Sequence, residues 1–65
     1  MDTQNALLLD IDVALEMHKF SATRFGYLAA GDPGVLAKLR KGRRARPALL
    51  AKMAAALDLL ERGEL

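Results

Sequence analysis

A chain of 65 residues forms one small domain, and a domain of this size buries only about 60% of the surface that its unfolded chain exposes. The chain has no cysteine and a single histidine, so the sequence predicts no disulfide, no metal site and no cofactor. No apolar run approaches the ~20 residues of a membrane span, and the N-terminus lacks the features of a signal peptide. The net charge of +2 gives only a weak indication of a nucleic-acid partner.

The charges are unevenly distributed along the chain. The first 18 residues carry four carboxylates and no cation, whereas residues 19–52 carry nine cations against Asp32 alone. The last 13 residues carry three carboxylates and one arginine. A polyanion is therefore attracted to the middle of the chain and repelled by both ends.

The composition favours an all-α fold. Apolar residues make up 52% of the chain, but only 5% are aromatic and few are β-branched. Helix periodicity and capping residues predict four helices at about 4–18, 21–30, 33–41 and 47–62, in one domain covering residues 1–65.

The first helix has two apolar stripes. The wider stripe predicts its core face and contains Leu7, Leu8, Ile11, Ala14, Leu15 and His18. The narrower stripe, Leu9, Val13 and Met17, is either scattered surface apolarity or a contact surface for another subunit. His18 is interpreted as a structural residue at the helix end, because no serine, cysteine or paired carboxylate accompanies it at a motif spacing. We therefore expect the protein not to be an enzyme.

The second and third helices are separated by a tight turn. Ser21 is the predicted cap of the second helix, whose inner side carries Phe25, Leu28 and Ala29. Gly26 lies in the helix interior, where glycine costs roughly 1 kcal/mol relative to alanine. We expect another element to pack closely against Gly26, which would explain why glycine is present there. Gly31 ends this helix, Asp32 is predicted to cap the third, and Pro33 to begin it. Leu36 and Leu39 are expected to point inward.

The fourth helix is more apolar than one small core requires. Its inner stripe contains Leu49, Leu50, Met53, Ala56, Leu57 and Leu60, and Ala48, Ala55 and Leu59 extend the apolar surface. This excess predicts a homodimer whose interface is formed by Leu49, Met53, Leu57, Leu59 and Leu60. The alternative, that the helix only closes the core of a monomer, stays open.

Residues 21–42 resemble the helix-turn-helix of the lambda repressor and Cro class of phage-type regulators. Phe25, Gly26 and Ala29 fit the first helix of that pattern, Gly31 fits its turn, and Leu36 and Leu39 fit the buried pair of its recognition helix, which Gly42 closes. The resemblance covers 22 residues, a third of the chain. It implies a cytoplasmic, bacterial or phage-encoded transcriptional regulator that binds double-stranded DNA. In a two-fold dimer its recognition helices lie about 34 Å apart. RNA polymerase or a partner regulator is a further candidate partner, since the acidic first helix can serve as a contact or merely as a solubilising face.

The chain departs from that family at the start of the recognition helix. Pro33, Gly34 and Val35 offer no side-chain hydrogen bond to a base, although Gly34 permits close approach and Val35 can meet a thymine methyl group. Lys38 and Lys41 are therefore the predicted base contacts, and the preferred sequence is expected to depend largely on DNA shape.

Phosphate binding is predicted mainly downstream of the recognition helix. The run Lys41–Arg46 supplies Arg43, Arg44 and Arg46 for phosphates or for a narrow minor groove. Ser21, Thr23 and Arg24 are predicted DNA contacts at the start of the second helix. The alternative for the basic run is a solvated loop.

Two other classes of protein remain open. The chain is also compatible with an interaction module, such as an antitoxin-like or accessory subunit, that binds nucleic acid nonspecifically. An RNA-binding protein is less favoured, because Tyr27 and two phenylalanines provide little surface for base stacking.

Overall fold

The computed structural model describes residues 2–65 and contains four helices within that range. They are α1 (Thr3–Met17), α2 (Ala22–Ala30), α3 (Val35–Arg40) and α4 (Pro47–Glu61). The residues described include no strand, which confirms the all-α prediction. The observed bounds of α1, α2 and α4 agree with the predicted bounds to within one residue.

The core contains one completely buried side chain from each helix. These residues are Ile11 of α1, Phe25 of α2, Leu36 of α3 and Met53 of α4. Packing joins α2 to both α3 and α4, and α1 to α4. Since burial of one large apolar side chain contributes about 1.5–3 kcal/mol, these four residues tie the helices into a single cooperative unit.

Capping residues determine where the first two helices begin. The Asp2 side chain accepts a hydrogen bond from the backbone N–H of Gln4 at 2.9 Å, and Ser21 Oγ accepts one from Arg24 at 3.1 Å. Both bonds satisfy N–H groups that have no partner within the helix. The sequence predicted Ser21 as the cap of the second helix.

Within two residues of the end of each helix lies a residue whose backbone has a positive φ angle. Gly31, Gly42 and Gly63 have φ angles of 69°, 104° and 74°, and Lys19, after α1, has a φ of 51°. After α1 and α3 the next N–H groups bond back to carbonyls of the last turn, as at Phe20 N to Leu15 O (2.9 Å). Lys19 thus occupies a conformation that glycine adopts with less strain.

The third helix is shorter than predicted and begins at Val35 rather than Pro33. Asp32 Oδ1 does accept a hydrogen bond from the Gly34 N–H at 2.9 Å, as a cap would. The Val35 N–H, however, bonds to the Asp32 carbonyl at 3.1 Å, so Pro33 and Gly34 form a turn ahead of the helix. Val35 is buried, 4% exposed, and the prediction that it can contact a thymine methyl group is wrong.

Gly26 lies where α2 meets this turn. A Cβ atom at this position would lie 2.7 Å from the Asp32 carbonyl oxygen, 3.0 Å from Val35 Cγ1 and 3.3 Å from the Pro33 carbonyl oxygen. The predicted close packing at Gly26 is therefore confirmed, and its partner is the backbone of the turn.

Several apolar predictions need correction. His18, placed on the core stripe, is exposed, and so is Leu28, which is 47% exposed. Met53, Leu57 and Leu60, predicted for the dimer interface, are only 0%, 8% and 3% exposed and belong to the core of the single chain. Met53 and Leu60 are covered by the chain's own packing, whereas Leu59 is 38% exposed, Leu49 is half-buried, and Leu57 lines an open groove.

None of the four helices within residues 2–65 is both long enough and apolar enough to cross a membrane.

Candidate nucleic-acid interface

The residues Lys41–Arg46, here called the basic segment, join the end of α3 to the start of α4. Lys41, Arg43, Arg44 and Arg46 are exposed, and Ala45 is half-buried. The segment has no helical structure beyond the turn at Lys41 and Gly42. Its backbone conformation therefore depends on contacts with the rest of the fold.

Gln4 supplies the main contact. Its side chain is buried, with the residue only 2% exposed, and its amide Nε2 donates a hydrogen bond to the Arg43 carbonyl at 2.8 Å. Its Oε1 accepts a hydrogen bond from the Ala45 N–H, also at 2.8 Å. The Gln4 side chain therefore forms hydrogen bonds to the backbone just before and just after Arg44. These two bonds fix the backbone at Arg44, next to Arg43.

Gln4 is not among the residues that the sequence predicts for this interface. Its position carries a signal, because Gln4 lies on the same face of α1 as Leu8, Ile11 and Leu15, which form the buried stripe. A polar residue on a core face requires a hydrogen-bond partner. The sequence does not indicate that the partner is backbone some forty residues later.

Arg44 points back toward the start of α1. Its guanidinium forms an ion pair with the Asp2 carboxylate. The hydrogen bond from Arg44, assisted by the one from the Gln4 N–H, lowers the pKa of Asp2 below its ordinary value of 3.8. The same hydrogen bond and ion pair with Asp2 raise the pKa of Arg44 above its ordinary value. Arg44 is thus exposed but already has an anionic partner within the chain.

Lys38 also has a partner. The Nζ atom of Lys38 lies 2.8 Å from Asp32 Oδ2. This hydrogen bond is the largest cause of the lowered pKa of Asp32, and the hydrogen bond from the Gly34 N–H is the next largest. The Asp32 carboxylate thus accepts one hydrogen bond from Gly34, in the turn before α3, and one from Lys38, the predicted base contact. Any DNA group that Lys38 contacts therefore competes with this carboxylate.

The remaining cations of the interface have no carboxylate within 4.0 Å among residues 2–65. Within the basic segment these are Lys41, Arg43 and Arg46, of which Arg43 is near enough to Asp32 to help lower the pKa of that carboxyl. At α2, the guanidinium of Arg24 lies 5.4 Å from the ring centroid of Phe20, which orients it without neutralising it. Charge available to an external anion is therefore concentrated after α3 rather than on α3 itself.

The other predicted contacts lie at two places. Ser21 and Thr23 are exposed at the start of α2, where the Ser21 hydroxyl is already used as a cap. Pro33 is exposed and Gly34 half-buried in the turn before α3, and neither offers a side-chain donor. The leading edge of α3 is therefore bare, as the sequence indicated.

Two helix starts lie beside the basic segment. Gln4, in the first turn of α1, contacts it through hydrogen bonds, and Pro47, the first residue of α4, follows it directly. The N-terminal end of a helix carries a partial positive charge of roughly half a unit. At α1 the Asp2 carboxylate offsets this charge, whereas α4 has no acidic residue in its first turn.

No protein-family model, curated protein or solved structure matches this chain. The residues described contain no group of three or more histidine and carboxylate side chains that could hold a metal ion. The function must therefore be inferred from the geometry of the basic segment and its surroundings.

Proposed function

We propose that this protein binds double-stranded DNA through α2, α3 and the basic segment, and that it acts as a small transcriptional regulator. The observation that carries this proposal is the pair of hydrogen bonds from buried Gln4 to the backbone of the basic segment. A basic loop that only keeps a protein soluble needs no fixed backbone. A loop that meets regularly spaced phosphates gains affinity when its cations are already positioned.

The arrangement of α2 and α3 supports the choice of duplex DNA. A nine-residue helix, a four-residue connection at 31–34 and a six-residue helix pack together through Gly26. This sequence of elements is similar to the helix-turn-helix of phage-type regulators, which places its second helix in the major groove. In that orientation the basic segment emerges at the end of α3 beside the DNA backbone.

The cations with and without a carboxylate partner are proposed to make different contacts with DNA. Lys41, Arg43 and Arg46 bind phosphates or the minor groove, while Arg44 and Lys38 exchange an internal carboxylate for a DNA group. Direct reading of base edges is sparse because Pro33 and Gly34 carry no side-chain donors. Affinity is therefore dominated by phosphate contacts, and sequence preference by DNA shape.

Dimerisation, if it uses α4, requires a different face from the one that the sequence predicted. Ala48, Ala51, Ala55 and Leu59 are exposed on the side of α4 opposite Met53. In an antiparallel pair of α4 helices centred on Ala55, Leu59 packs beside the small side chain of Ala51 of the partner subunit, so this face fits a second copy in shape.

The test is a titration against random duplex DNA, a selected duplex pool and single-stranded RNA at two salt concentrations. About six phosphate contacts predict a slope of log K against log salt near −5 for duplex DNA. Replacing both Arg43 and Arg46 by Ala should weaken binding to all duplexes about equally. Absence of duplex binding at low salt would exclude the proposal, and stronger binding to RNA would replace it with an RNA-binding role. Sedimentation of wild-type protein and Leu59→Glu, with and without DNA, tests the dimer.

A further inference from the structure

The side of α1 that faces away from the core is also apolar. Leu9, Val13 and Met17 are 55%, 56% and 75% exposed and follow one another at four-residue intervals. We call these three residues the outer stripe of α1. Isolated exposed apolar residues are common, but a continuous stripe opposite the core face is typical of a helix packed between two surfaces.

The outer stripe borders an open groove between α1 and α4. The groove has a volume of about 400 Å³ and is lined by Asp10, Val13, Ala14, Met17, His18, Leu57 and Glu61. Val13, Ala14, Met17 and Leu57 provide the apolar part of this lining, and its two acidic side chains are those of Asp10 and Glu61. Glu16 is a further exposed carboxylate on the same half of α1.

These carboxylates argue against a second copy of the chain as the occupant. Asp10 and Glu16 lie on opposite flanks of Val13 on the α1 surface. In an antiparallel pair of α1 helices centred on Val13, each carboxylate shares a flank with its own copy, and in a parallel pair Asp10 shares a flank with Glu16 of the partner subunit. Both arrangements bring like charges together around the apolar contact, which is unfavourable.

We propose that the outer stripe and the groove bind an amphipathic helix of a partner protein whose apolar side chains are flanked by lysine or arginine. The apolar side chains of that helix cover Val13 and Met17, and its cations meet Asp10, Glu16 and Glu61. The stripe from Leu9 to Met17 is about 12 Å long, which matches two to three turns of the docked helix. In this kind of recognition an amphipathic helix places its apolar side in a groove. Here opposite charges at the edges of the groove would add electrostatic complementarity.

The site is separate from the basic segment. The rise from Gln4, which contacts the basic segment, to Met17 is about 20 Å along α1. The proposal does not depend on DNA binding, since none of its residues belongs to the candidate nucleic-acid interface. If both hold, the protein connects DNA at one end of α1 to a basic partner at the other.

The probe is a synthetic 14-residue helical peptide with leucine at positions i, i+3, i+4 and i+7 and lysine on the opposite side. Two control peptides keep the length: one replaces every lysine by glutamate, and the other scrambles the leucine and lysine positions. Binding to the full chain is measured by calorimetry, and its location by amide chemical-shift changes. We expect the leucine–lysine helix to bind at least tenfold more tightly than either control, with the largest shifts at Val13, Met17 and Leu57.

Val13→Lys should weaken this binding at least tenfold, whereas Leu28→Lys, at an apolar site on α2 that is 47% exposed against 56% for Val13, should leave it unchanged. Circular dichroism checks that both variants remain folded. Equal binding of the control peptides, shifts outside the groove or no binding would overturn the proposal. It would also be overturned if the protein alone formed a dimer that Val13→Lys dissociates, because the occupant would then be a second copy.

Discussion

The Gln4 side chain accepts a hydrogen bond at 2.8 Å from the N–H of Ala45, which lies 41 positions later in the chain. Its amide nitrogen bonds to the Arg43 carbonyl, so one residue of α1 determines the backbone path of the basic segment. A buried polar side chain that uses both its donor and its acceptor on one loop contributes to stability and to loop geometry together.

Gln4→Met should therefore affect both properties. Methionine fills similar space but makes neither hydrogen bond, and we expect the free energy of unfolding to fall by about 2 kcal/mol. Duplex affinity should fall by roughly tenfold under conditions where the variant is fully folded, because the arginines are no longer positioned. Urea unfolding and duplex titration measure the two effects. Asn5→Met, at the neighbouring exposed position, should change neither, and unchanged affinity in Gln4→Met would show that the basic segment is positioned by other contacts.

Gly26 packs against the turn that contains Gly34, and the two glycines should respond differently to alanine. At Gly26 an added Cβ atom meets a backbone carbonyl at 2.7 Å, so the turn must shift. We expect Gly26→Ala to destabilise the protein by about 1–3 kcal/mol, although alanine favours a helix by about 1 kcal/mol. At Gly34 the nearest atom is Asp32 Oδ1 at 3.6 Å, an ordinary contact.

Gly34→Ala should accordingly change the free energy of unfolding by less than about 0.5 kcal/mol. Thermal unfolding of both variants is a sufficient measurement. Equal destabilisation by the two substitutions would mean that the close approach at Gly26 does not determine the position of the turn.

Lys19 should be replaceable by glycine with a gain in stability. Its φ of 51° is unfavourable for a side chain bearing a Cβ atom, and relief of this strain is expected to contribute about 1 kcal/mol. Lys19→Ala, which removes the same charge but keeps the Cβ atom, separates conformation from electrostatics and should not stabilise the protein. At Gly42, with a φ of 104°, alanine should be destabilising. Chemical denaturation compares all three variants, and stabilisation by Lys19→Ala as large as by glycine would contradict this reason.

The fold class, the four helices and most core positions could be predicted from the sequence because they depend on local patterns. Apolar spacing placed Ile11, Phe25, Leu36 and Met53 correctly, and Gly26 was identified from its cost in a helix. The error at the start of α3 has a local cause as well. Asp32 makes the expected capping bond, but the chain forms a turn before it becomes helical, and periodicity does not distinguish the two.

The candidate site was less predictable because it depends on contacts between distant residues. The basic segment was evident as a run of charge, but its attachment to Gln4 and the pairing of Arg44 with Asp2 require the folded chain. The interface assigned to Met53, Leu57 and Leu60 was wrong for a related reason. A stripe of apolar residues indicates burial but does not distinguish the protein's own core from a second subunit.

Acid should weaken the protein through Asp2 and Asp32. Both pKa values are lowered on folding, the first mainly by Arg44 and the second mainly by Lys38. The stability that these pairs contribute is therefore fully present above the ordinary value of 3.8 and is lost as the pH falls through the lowered pKa values. Urea unfolding between pH 2 and 7 should show a decline below about pH 4 that becomes shallower in Asp2→Asn. An unchanged decline in this variant would mean that Arg44 does not favour the charged form of Asp2.

Asp32→Asn should increase affinity for duplex DNA. The amide oxygen of asparagine can still accept the hydrogen bond from Gly34, so the turn before α3 is retained, but Lys38 loses its ionic partner and becomes available to DNA. We expect a gain of roughly threefold to tenfold that is larger at low salt than at high salt. Asp58→Asn is the matched control, because it removes the same charge from an ion pair with Arg62, at 2.7 Å on α4, outside the proposed interface. Titration of both variants against one duplex distinguishes release of Lys38 from a change in net charge, since equal gains would leave Lys38 without a role in binding.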